Sequence, residues 1–118
     1  MPARAKNDYG YIDIDDNVIA TIAGLSAMES YGIVGMASKK ATDGIFELLK
    51  KENLSKGVKV YTDNNEVVID LHVILQYGIR ISVVAENIIE KVKFNVENLT
   101  GLKVRKVNVY VQGIRVEK

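Results

Sequence analysis

The chain has 118 residues, 47% of them hydrophobic and 26% charged, which fits a single globular domain with one modest core. Its 16 Lys+Arg against 15 Asp+Glu leave a net charge of +1, so no global field draws it to nucleic acid or anionic lipid. The absence of cysteine excludes disulfides and thiol chemistry, and no run approaches the roughly 20 apolar residues that a membrane-spanning helix requires.

Residues 1–7 are basic and lack the apolar centre of a signal peptide, so they are expected to be a flexible end. Tyr9–Ile14 reads as a short strand or an extended lead-in. Asp15 or Asp16 then caps a helix, with Val18, Ile19, Ile22, Ala23 and Leu25 on its apolar side. Ala20, Gly24 and Ala27 keep that helix thin enough to pack closely on a sheet. Asp13, Asp15 and Asp16 form an acidic cluster, but the Gly and later Glu of a calcium loop are absent, and capping accounts for the carboxylates. Gly32 fits the helix stop, and Ile33–Ala37 follows as a short strand. Within 39–56, Ile45, Leu48 and Leu49 have helical spacing and predict a short helix in an insertion, with a turn from Asn53 to Gly57.

Val58–Thr62 alternates as a strand, and Asp63-Asn64-Asn65 predicts a tight turn into an antiparallel partner, since Asn and Asp tolerate positive φ. In that partner Val67, Ile69, Leu71, Val73 and Leu75 point one way, while Val68, Asp70, His72, Ile74 and Gln76 point the other. Tyr77-Gly78 breaks the alternation. From Ser82 the period becomes helical, with Ile81, Val84, Ala85, Ile88, Ile89, Val92, Val96 and Leu99 in one stripe. Ile88 and Val92 are expected to pack against Ile69, Leu71, Val107 and Val109. Thr100-Gly101 stops the helix, and Val107, Val109 and Val111 mark a last strand. Residues 8–114 therefore read as one α+β domain, a two-layer arrangement of one mixed sheet of about four to five strands with two main helices on one face. Residues 115–118 are expected to be a flexible end.

Candidate chemistry is sparse. His72, the sole histidine, lies on the same strand face as Asp70, and such a pair can serve as a general base in a hydrolase. A polar outer face of the sheet explains both without catalysis, and the sequence holds no metal-ligand set, phosphate loop or cofactor motif. The same outer face would show Lys59, Tyr61, Asp70, His72, Lys106 and Tyr110, a mixture of basic and aromatic side chains on which single-stranded RNA can stack. The near-zero net charge and the presence of Asp70 weigh against nucleic acid. A second candidate surface lies on the second helix, where Val83, Glu90 and Phe94 share a line outside the core stripe. An aromatic there anchors a protein partner or self-association, with Glu86, Glu90, Lys93 and Glu97 as its polar rim, unless residues 39–52 fold over it.

Several motifs taken in order carry a resemblance. Gly10–Gly24, Tyr31-Gly-Ile-Val-Gly35, Tyr77-Gly-Ile79, Thr100-Gly-Leu102 and Val107-Asn-Val-Tyr-Val-Gln-Gly113 together resemble the alkaline shock protein family of Gram-positive bacteria, also called the envelope stress response family. The resemblance covers nearly the whole chain. It implies a small non-enzymatic cytoplasmic protein without cofactors, acting in envelope homeostasis or stress through protein contacts. It also implies that any membrane association runs through a partner.

Overall fold

Eight elements run in the order β1 (Ala3–Asn7), β2 (Gly10–Ile14), α1 (Asp16–Met28), β3 (Ile33–Met36), β4 (Val58–Asp63), β5 (Glu66–Gln76), α2 (Ile81–Thr100) and β6 (Lys103–Arg115). They come from a computed structural model that describes residues 3–37 and 56–116. The short helix expected within 39–56 lies outside the described residues.

The architecture is α+β. β5 is the axis of a four-stranded mixed sheet. β6 runs parallel to it along its full length, and β4 and β3 pair antiparallel with its first and second halves. The β4–β5 turn uses Asn64 and Asn65 at φ 51° and 64°, the positive-φ pair that matches strand twist in a two-residue hairpin. Val67, Ile69, Leu71, Val73 and Leu75 are all fully buried, and they meet Ile19 and Ala23 of α1 and Ile88, Val92 and Val96 of α2 in one core. Val107 and the half-buried Val109 join the same cluster, as the alternation predicts.

Each helix is punctuated by its own side chains. Asp15 caps α1, its carboxylate accepting from the Asn17 N–H at 2.9 Å. α2 ends at Gly101, which takes the left-handed cap conformation at φ 75°. The Thr100 hydroxyl donates to the Val96 carbonyl at 2.6 Å and accepts from the Leu102 N–H at 3.1 Å, so the chain is turned sharply into β6. Gly32, at φ 87°, lies where a Cβ would come within 3.1 Å of Ile79 Cδ1 and 3.2 Å of Val84 Cγ2. That turn can therefore press directly on the start of α2.

Four expectations are corrected. Ala3–Asn7, expected to be a flexible end, is a strand paired antiparallel with β2, and Ala3 is fully buried. At the other end Arg115, expected to be loose, is the last residue of β6 and pairs with Gln76. In α1, Val18 and Leu25 are exposed, and the buried face is made by Ile19, Ala20, Ala23, Gly24, Ser26 and Ala27. The reason is that α1 packs on α2 as well as on the sheet, and close approach to two neighbours selects the small residues. Asn95 of α2 donates to the buried Ser26 hydroxyl at 3.0 Å across that contact. In α2, Ile81 and Leu99 share the azimuth of the core stripe but are exposed, because they lie in the two end turns of the helix.

Candidate functional site

The face of β5 opposite the core gathers all six residues expected there, in three rows set by register. Lys59, Asp70 and Asn108 lie across β4, β5 and β6, and Tyr61, Val68 and Lys106 form the next row. His72 and Tyr110 make the third, their rings stacked at 5.1 Å between centroids with an interplanar angle of 16°. Tyr61 and Tyr110 are partly exposed, whereas Asp70 is almost fully buried at 9% exposure. The Asn108 carboxamide donates to the Asp70 carboxylate at 2.9 Å, which satisfies part of an otherwise costly buried charge. The Lys59 ammonium lies 4.9 Å from the centroid of the Tyr61 ring. A hydrogen bond to Tyr61, then the electrostatic effect of that phenol, holds the lysine above its usual pKa against the lowering effect of burial, with Asp70 assisting.

This arrangement is a polar, aromatic platform with two ammonium groups. Asp70 and His72 are next to each other on the strand face, as the alternation requires, but the described bond of Asp70 is to Asn108 and the described ring contact of His72 is to Tyr110. Among the described residues there is no cluster of three or more His, Cys, Asp or Glu that can hold a metal ion. Nor is any described helix long and apolar enough to cross a membrane.

The second surface is the outward line of α2. Val83, Glu90 and Phe94 lie along it; Val83 is 42% exposed and Phe94 67%, with Glu86, Asn87 and Lys93 around them. Glu97, expected in the polar rim, instead turns to β6 and accepts from the Val104 N–H at 2.9 Å. Residues 39–52, weighed as a cover for Phe94, lie outside the described residues.

Sequence reasoning missed Asn108 as the partner of Asp70. The signal was present, since Asn108 occupies the polar phase of the last strand, but the pairing needs the parallel register of β5 and β6. It also missed the hairpin of β1 and β2. Its Arg4 side chain lies 3.9 Å from the Tyr11 ring centroid and donates to the Asp13 carboxylate at 2.6 Å.

Two helices on one face of a four-stranded mixed sheet, with the other face carrying polar and aromatic side chains, define a small two-layer α+β protein. The chain belongs to the alkaline shock protein family, described as having a cell envelope-related function, whose family model matches residues 4–116. It is 49% identical to the uncharacterized protein YloU of Bacillus subtilis (strain 168), over 98% of each chain. It is 46% identical to the uncharacterized protein Spy1614 of Streptococcus pyogenes, over 98% of this chain and 97% of the relative. A stress response regulator gls24 homolog of Streptococcus pyogenes is 28% identical over 92% of this chain and 61% of its own length. No solved structure matches the chain.

Proposed function

We propose that this protein is a non-enzymatic cytoplasmic member of its family that works in envelope homeostasis or stress through protein contacts, with the outward line of α2 as the contact surface. The observation that carries the reading is Phe94, a large aromatic two-thirds exposed on a long helix, in line with the exposed Val83. Aromatic anchors ringed by polar groups are the usual energetic centres of protein interfaces, and Glu86, Glu90 and Lys93 supply such a ring. The envelope-related description of the family and the stress-regulator name of a relative support the physiological side of the reading. Any membrane association would run through the partner.

The test is Phe94→Asp. Circular dichroism should match the wild type, because the side chain is outside the core. A partner identified by mass spectrometry in pull-downs with the wild-type chain should be lost with the variant. Recovery of the same partner by a folded Phe94→Asp protein, or unfolding of the variant, would sink the α2 reading.

One observation favours a second reading, single-stranded RNA on the open sheet face. The stacked His72–Tyr110 pair, with Lys59 in the adjacent row and Tyr61 and Lys106 in the row beyond it, offers ring faces and positive charge on one face. Purified protein with a high 260-to-280 nm absorbance ratio that falls on ribonuclease treatment would favour it. A protein-like ratio at low salt would count against it.

A further inference from the structure

The β1–β2 hairpin is a two-stranded sheet of its own, apart from the four-stranded one. Isolated two-stranded hairpins are marginal in water, and open sheet edges invite another strand. The two edges of this hairpin differ. Asn7 pairs with Gly10 across a two-residue turn, and antiparallel pairs alternate between hydrogen-bonded and non-bonded. Arg4 and Asp13 form a non-bonded pair in that alternation, as do Lys6 and Tyr11, so their backbone groups turn outward. On the β1 side this edge is already closed at Arg4. Its N–H donates to the Asn65 side-chain oxygen at 3.1 Å, and its carbonyl accepts from the Asn65 carboxamide at 3.0 Å. On the β2 side the N–H and C=O groups of Tyr11 and Asp13 face outward, and no strand among the described residues pairs with them. Tyr11 and Ile12 are 60% and 64% exposed.

We propose that the free edge of β2 is a self-association site, where β2 of a second copy of this chain pairs antiparallel about a two-fold axis at Ile12. The occupant follows from the register. Centring on Ile12 sets Tyr11 opposite Asp13 of the second copy, and both residues already aim their backbone groups outward, so each pair exchanges two hydrogen bonds. Ile12 then meets Ile12 of the second copy as a close, non-bonded apolar pair. Charge agrees with this choice. On the side chains' polar face, each Asp13 gains the second copy's Tyr11 and, behind it, Lys6, while no like charges oppose. The alternative two-fold through β1 would set Arg4 against Lys6, a repulsive pair, on an edge that Asn65 already blocks. The result is one four-stranded sheet shared by two molecules, an isologous contact. The contact is short, so the dimer is expected to form with a Kd of about micromolar order.

The chain has no cysteine, so a single introduced thiol reports the axis directly. In Ile12→Cys two thiols would face each other at about 4.5 Å between Cα atoms, within disulfide range. Under mild oxidation Ile12→Cys should form a covalent dimer about tenfold or more faster than Tyr31→Cys, whose exposed position lies away from the hairpin, because docking raises the effective thiol concentration. Light scattering should show a dimer for the wild type and a monomer for Ile12→Asp, which sets two carboxylates against each other. Phe94→Asp should remain dimeric, which separates this site from the α2 surface. Equal cross-linking of the two cysteine variants overturns the proposal, as does a dimer that survives Ile12→Asp or is lost in Phe94→Asp. A monomeric wild type also overturns it.

Discussion

Replacing Ile88 by Ala tests how the core is assigned. Ile88 is fully buried at the centre of the α2 stripe, in the same core cluster as the inward side chains of β5. The substitution removes three methylene-sized groups, about 2.4 kcal/mol of transfer at about 0.8 kcal/mol each. A cavity in a packed core adds to that, for a total of about 3–4 kcal/mol. Leu99 has the same azimuth and loses the same three groups, but it is 68% exposed, so about a third of the transfer term applies and no cavity forms. Its cost is about 0.8 kcal/mol. With an unfolding entropy of about 2.1 cal/mol/K per residue over 118 residues, each kcal/mol moves the Tm by about 4 °C. Ile88→Ala should therefore melt about 12–16 °C below the wild type and Leu99→Ala about 3 °C below it, read by far-ultraviolet circular dichroism. Equal shifts in the two variants would refute the idea that the stripe is buried only where it overlies the sheet.

Two further substitutions probe local geometry. Asn65→Gly keeps the positive φ of the turn but removes both hydrogen bonds to the Arg4 backbone. Amide exchange in β1 and β2 should accelerate about thirtyfold, the equivalent of two lost hydrogen bonds at about 1 kcal/mol each, while β5 keeps its protection. Gly32→Ala places a Cβ at positive φ and against Ile79 and Val84, and should cost about 1–3 kcal/mol, measured as a lower denaturant midpoint with an unchanged m-value.

Much of this was legible without coordinates, and for a physical reason. Strand and helix periods are properties of the local backbone, so the inward phase of β5 and the azimuth of the α2 stripe could be read directly from Val67–Leu75 and Val84–Val96. Turn and cap chemistry is equally local, which is why Asp15, Asn64-Asn65 and Thr100-Gly101 act where their side chains and φ preferences place them. The outer-face residues Lys59, Tyr61, Asp70, His72, Lys106 and Tyr110 followed from the same alternation.

Tertiary structure decided whatever depends on a neighbour. A period gives the direction of a face but not its extent, so Ile81 and Leu99 keep the right azimuth and are exposed in the end turns of their helix. Hydrophobicity favoured Val18 and Leu25 on α1, but packing against both α2 and the sheet selected Ala20, Ala23, Gly24 and Ala27, because small side chains allow the backbone to approach two surfaces at once. The Asp70–Asn108 bond required the parallel register across β5 and β6. β1 shows the limit most clearly: Ala3–Asn7 has no strand-like composition, and its extended form is fixed from outside by β2 and by the carboxamide of Asn65, 61 residues further along the chain from Arg4.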